Sequence, residues 1–192
     1  MYSILALDPG SKNFAWSYVA DSCWQTGMLS IVTGKPEEIV THFRPQLTAL
    51  LERFRPDEVV IERFMTRQRS SLNNEIINVL IGAVLSTCID YGILTTAITS
   101  SVWKSKFRRD AGCPSNDVKL KGKSDHECDA VGMAAFKLDD PILRSLLAVS
   151  ALLTSVERVH RTRKQWMLAK EVKQLWNVSH VKSLISRMVE QP

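Results

Sequence analysis

The chain has 192 residues, 45% hydrophobic and 23% charged, which suits one soluble globular domain with room for an appendage. A chain this long buries about two-thirds of its unfolded surface, so it needs neither disulfides nor a structural metal to fold. Its net charge of +5 favours a polyanionic partner, and the lack of any apolar run of roughly 18 residues excludes a membrane span.

The cysteines, Cys23, Cys88, Cys113 and Cys128, are scattered without a C-x-x-C pair, which argues against a zinc site and for reduced thiols. The start, MYSI, lacks the basic region, apolar core and cleavage site of an export signal, so a cytoplasmic or other reducing compartment is expected. Positive charge is uneven. Lys104, Lys106, Arg108, Arg109, Lys119, Lys121 and Lys123 fall between residues 100 and 124, where only Asp110 and Asp117 oppose them. Such clustering is the footprint of a nucleic-acid partner, although many basic faces are merely solvated.

Taken in order, residues 2–7 are a short apolar run ending at D-P-G, which predicts a buried strand entering a turn. Residues 14–20 alternate well enough for a second strand. Gly27 marks a break before a third at 28–32, completing an antiparallel meander. Pro36 opens a helix with Glu37 and Glu38 in its first turn and an apolar face of Ile39, Phe43, Leu47, Leu50, Leu51 and Phe54. Pro45 inside that pattern predicts a kink or two segments. The β-branched run 58–61 is a strand with Glu62 at its end. A polar stretch, 63–74, leads to a strongly apolar helix at 75–91, with Gly92 as its C-cap. A helix apolar around so much of its circumference must be buried, centrally or in a dimer interface. Residues 94–98 form another strand, a basic irregular segment follows, and a helix runs from about 125 to 138. The order β-β-β-α-β-α-β-α predicts an α/β domain with helices packed on a sheet over residues 1–140. Residues 141–192 read as a basic helical extension, with a possible capping box at Thr154 and Glu157 and a break near Asn177 and Ser179. Its cluster Arg158, Arg161, Arg163 and Lys164 beside Trp166 suits a DNA clamp, a protein partner or a plain structural helix pair.

Three carboxylates stand where a nuclease would need them. Asp8 ends the first strand, Glu62 the fourth, and Asp129 lies on the helix after the basic segment, one turn beyond His126 on the same face. Phosphodiester cleavage at neutral pH needs an activated water and compensation for charge on phosphate and leaving oxygen. Two divalent ions about 4 Å apart supply both, held by hard oxygen ligands. Each residue also has an ordinary reading: a turn aspartate, an exposed strand-end glutamate, an acidic first helical turn.

The segments ILALDPGSKNFAWSYV (4–19), VVIERFM (59–65) and HECDAVGMAA (126–135) resemble, in order, the three motifs of RuvC-type Holliday junction resolvases. The resemblance spans residues 4–138. It implies an RNase H-like fold with a mixed five-stranded sheet flanked by helices. It also implies a homodimer that cuts two strands of a four-way DNA junction, its contact near helix 75–91. Asp8, Glu62 and Asp129 would then bind two Mg²⁺ per site, with Mn²⁺ able to substitute, and His126 would take the fourth position. Asp125, also on that helix face, is the alternative. The segment SVWK (101–104) resembles the family's stretch where a strand gives way to a short helix carrying a functional lysine, which would set Lys104 against the scissile phosphate or the neighbouring backbone. A second lysine would come from Lys119, Lys121 or Lys123. Arg63, Arg67 and Arg69, together with Lys106, Arg108 and Arg109, would contact the backbone. Phe64 would stack on an unpaired base, although it follows Glu62 by two residues where the family pattern has three. Rival expectations are an RNase H-like enzyme acting on RNA–DNA hybrid or structured RNA, and an inactive junction-binding protein. An actin-like ATPase would need a second lobe and more glycine than this chain has.

Overall fold

The computed structural model describes residues 2–20, 23–63, 72–111 and 123–139, with the backbone alone at 23, 72 and 106–111. The described elements run β1 (Ser3–Asp8), β2 (Asn13–Ala20), β3 (Cys23–Ser30), α1 (Pro36–Phe54), β4 (Glu58–Glu62), α2 (Leu72–Asp90), β5 (Leu94–Ile98), α3 (Ser100–Ala111) and α4 (Asp125–Leu138). The helices expected within 141–192, with Arg158, Arg161, Arg163, Lys164 and Trp166, lie outside the described residues.

The strands form one mixed sheet in the order β3-β2-β1-β4-β5. β1, β2 and β3 are an antiparallel meander, while β4 runs parallel to β1 and β5 parallel to β4. Strand side chains alternate between faces, and each face has its own core. Leu5, Leu7, Phe14, Trp16, Val59 and Ile61 pack with Ile39, Phe43, Leu47 and Leu51 of α1 and Leu80, Val84 and Cys88 of α2. On the other face Ile4, Ala6, Val19 and Val60 meet Trp103 of α3 and Ala130, Val131, Met133 and Ala134 of α4. Small residues on α4 let its backbone lie close to the sheet.

The same alternation positions the chemistry. Ile4 and Ala6 share a face with Asp8, and Val60 shares it with Glu58 and Glu62. The parallel register pairs Ile4 with Glu58 and ends at Leu7 opposite Ile61. Asp8 and Glu62 are therefore carried side by side to the C-terminal ends of neighbouring strands, roughly 5 Å apart in strand spacing.

Three expectations need correction. Gly27 does not break the chain before the third strand; it lies inside β3, paired with Trp16. A Cβ there would fall 2.7 Å from Cζ2 of Trp16, so the glycine admits the indole across the ladder. Pro45 does not divide its helix, for α1 continues from Pro36 to Phe54 with both halves of its apolar face buried. The segment expected to be irregular after β5 begins with helix α3. Its polar and basic residues are adequate helix formers, and among its described side chains the fully buried Trp103 anchors it. One face of α2 lies in the core and another is exposed on the described surface, which fits a helix shared between core and interface. Ile77, Leu80, Val84 and Cys88 face the core, whereas Leu85 is 37% and Ile89 77% exposed on the described surface. Gly92 does close α2 in the left-handed conformation, at φ 65°.

Candidate active site

A cleft of about 570 Å³ opens at the C-terminal ends of β1 and β4. It is lined by Asp8, Glu62, His126 and Asp129, together with Pro9, Gly10, Ser11, Lys12 and Asn13 of the β1–β2 turn and Asn73 and Ile77 of α2. Asp8 is 7% exposed and Glu62 half-buried, on strands rigidly held within the sheet.

The N-terminus of α4 is fixed by a reciprocal cap. Glu127 donates its backbone N–H to Ser124 Oγ at 3.2 Å, and the Ser124 N–H donates to Glu127 Oε2 at 3.0 Å. Glu127 also accepts from Thr26 Oγ1 of β3 at 2.8 Å, tying the first turn of the helix to the sheet. The cap, with the helical repeat, turns His126 and Asp129 toward the cleft. The ring N–H at Nδ1 of His126 donates to Oδ2 of Asp8 at 2.6 Å. Asp129 Oδ2 accepts from Lys104 Nζ, which reaches across from α3, at 2.7 Å. The Lys104 ammonium also stands 5.0 Å from the centre of the Trp103 ring.

Negative charge is crowded here. Burial and the carboxylates of Asp8 and Asp129 push Glu62 above the usual glutamate range, against the opposing pull of Lys104 and a long 3.4 Å bond from Trp103 Nε1. The hydrogen bond to Asp8 raises His126 above the usual histidine range; the Asp8, Asp129 and Asp125 charges add to this, and partial burial opposes it. The carboxylate contributions to both shifts express a demand for positive charge.

That demand matches a divalent cation. The donor set is three carboxylates and one imidazole, hard oxygen with a single nitrogen, which suits Mg²⁺ or Mn²⁺. Among the described residues no three His, Cys, Asp or Glu groups are already gathered closely enough to ring a metal. Instead, Asp8 is engaged by His126 and Asp129 by Lys104, so protein donors occupy two of the carboxylates.

Other sequence-derived candidates fall elsewhere. Asp125 is exposed on the first turn of α4 and is not among the described residues lining the cleft. Lys123 lies 3.2 Å from Glu127 Oε1 as an i,i+4 pair. Arg63 is exposed, and its backbone N–H donates to Ile98 O at 2.6 Å, joining the ends of β4 and β5. Phe64, Arg67, Arg69, Lys119 and Lys121 lie outside the described residues, as do the side chains of Lys106, Arg108 and Arg109. Sequence reasoning missed Lys12, Asn13, Asn73 and the Ser124–Glu127 cap. The cap had a visible S-x-x-E signature and Lys12 stood four residues from Asp8, but nothing near Asn73 announced it.

No family model matches the chain, and no curated protein matches it either. Solved structures do share its fold. RuvC of Thermus thermophilus in complex with a Holliday junction substrate is 19% identical with a TM-score of 0.58, covering 72% of this chain and 96% of that one. Thermus thermophilus RuvC is also matched in a structure 18% identical, with a TM-score of 0.54 and coverages of 71% and 95%. The yeast mitochondrial Holliday junction resolvase Ydc2 is 13% identical, with a TM-score of 0.51 and coverages of 76% and 79%. The chain therefore has the RNase H-like fold of these proteins, a mixed five-stranded sheet with flanking helices.

Proposed function

We propose that this chain is a metal-dependent endonuclease that resolves four-way DNA junctions, acting as a homodimer. The observation that carries the proposal is the convergence of Asp8, Glu62, His126 and Asp129 on one cleft, with Asp8 and His126 bonded across 118 residues of chain. The fold is shared with RuvC, whose structure holds a Holliday junction substrate, and with Ydc2, named as a Holliday junction resolvase. A net charge of +5 agrees with a polyanionic substrate.

In this reading Asp8, Glu62 and Asp129 hold the divalent ions, with His126 in the fourth position. When bound, such ions lower the pKa of the attacking water and offset charge on the phosphate and the leaving oxygen. The protein's own groups do the rest. The sheet holds Asp8 and Glu62 at fixed spacing, and the α4 cap fixes the rotation that aims His126 and Asp129. Lys104 Nζ, paired with Asp129 behind the cleft lining, would stabilise the negative charge that builds on the phosphate once a metal ion takes its place on that carboxylate. Half-burial of Glu62 keeps bulk water from screening these interactions.

The exposed apolar side of α2, with Leu85 and Ile89, supports pairing with a second copy. A twofold axis there would present two clefts to a substrate that has its own approximate twofold symmetry.

The test is incubation with an end-labelled, immobile four-way junction and, in parallel, an RNA–DNA hybrid, with Mg²⁺ and with chelator. Paired Mg²⁺-dependent nicks in the junction alone are expected. Cutting of the hybrid alone would replace the junction with an RNase H-type substrate, and binding without cutting would leave a catalytically idle binder.

A further inference from the structure

A cleft walled by three carboxylates repels the phosphates it is meant to receive, so something beside it must draw the backbone in. Lys104 is held on Asp129 and is not among the described residues lining the cleft. The lysine that does line it is Lys12. Its side chain is exposed, and no described carboxylate pairs with it. We propose that Lys12, with Asn13 of the β1–β2 turn and Asn73 of α2, forms a second phosphate subsite. It would hold a backbone phosphate adjoining the one that is cut. The inference rests on the nuclease reading and adds to it a binding subsite on the other side of the carboxylates from α3.

Three features make the turn suitable. Lys12 is four residues from Asp8 on a short connection, so its Cα is tied to the site rather than to a remote loop. The turn is tight: a Cβ on Gly10 would fall 2.5 Å from the carbonyl oxygen of Asn13, which only glycine avoids. Asn13 is itself locked into the ladder opposite Ser30, giving the turn a rigid exit. Asn13 and Asn73 are exposed, and both line the same cleft as Lys12. An ammonium beside two carboxamides is a donor set for phosphate oxygens that carries no base information, as a backbone-positioning subsite requires.

The experiment compares full-length wild type, Lys12→Gln, Lys12→Arg and Asn73→Ala. Two quantities are measured: steady-state cleavage of a four-way junction, and junction binding in chelator across a salt series. Lys12→Gln is expected to raise KM about fivefold and to reduce the slope of log affinity against log salt by about one. Lys12→Arg should restore most of both, and Asn73→Ala should raise KM less while leaving the slope unchanged. A Lys12→Gln protein with wild-type KM and wild-type slope overturns the subsite. Should wild type fail to cut the junction, the nuclease reading falls, while a changed slope in Lys12→Gln would still uphold the phosphate contact.

Discussion

β4 carries a glutamate at each end, both on the face that α4 covers, and the two live in opposite surroundings. Glu58, 1% exposed, accepts from Tyr2 Oη at 2.7 Å, from Thr96 Oγ1, and from Lys137 Nζ at 2.8 Å. Burial pushes its pKa up, but the bonds from Lys137, Thr96 and Tyr2 outweigh burial and hold it below the usual glutamate range. Glu62, four residues on, is held above that range by burial and then by the charges of Asp8 and Asp129, which Lys104 and Trp103 only partly offset. One end of the strand has its charge matched and fastens the C-terminal turn of α4 to the sheet. The other has charge in excess and can receive a cation. Side-chain type and strand are the same, so the neighbours decide which glutamate stabilises the fold and which is available for chemistry.

The comparison can be broken or sharpened by substitution, starting with the largest effect. Asp8→Asn, Glu62→Gln and Asp129→Asn should each reduce junction cleavage about a thousandfold or more, with junction binding and melting temperature retained or raised. A variant that loses cleavage only by unfolding would remove its residue from the chemical end. Lys104→Ala should slow cleavage by about 10–100-fold while weakening junction affinity less than about threefold; equal losses would make Lys104 a positioning contact alone.

At the matched end, Glu58→Ala should cost about 2 kcal/mol of stability in denaturant unfolding, because Lys137 loses its partner and two hydroxyl donors lose their acceptor. Cleavage per folded molecule should be unchanged. Glu58→Gln should cost less, since an amide oxygen can still accept from Tyr2 and Thr96. The smallest effect is in pH. A glutamate with a lowered folded pKa contributes stability that is present above its unfolded value and lost as pH falls through the folded one. The stability gap between wild type and Glu58→Gln should therefore be full at pH 7 and close below the usual glutamate range. A gap independent of pH would mean that the charge of Glu58 contributes nothing.

Local pattern revealed much of this molecule. β1, β4 and β5 were readable as short apolar or β-branched runs, α4 as a helix starting at Asp125, and Asp8 and Glu62 as strand-terminal acids. What escaped depends on contacts distant in the chain. Gly27 looks like a breaker until Trp16 is seen lying over it. α3 is rich in polar and basic residues, so the burial of Trp103 against the sheet and α4 shows only in the fold. The composition of α2 shows an apolar helix but cannot say which side meets the core of its own chain. Glu58 looked like the first residue of a strand, since its partners Tyr2 and Lys137 lie 56 and 79 residues away. Lys12 carries no signal of its own in the chain, and only the geometry of the cleft brings it beside the carboxylates.

The central claim is that the crowded end of β4 is a divalent-metal site, and calorimetric titration of the full-length protein with Mn²⁺ tests it most directly. Saturable binding by wild type, lost in Asp8→Asn and Glu62→Gln but kept in Glu58→Gln, is the result the account predicts. No saturable binding by wild type, or binding that survives both site substitutions, would contradict it.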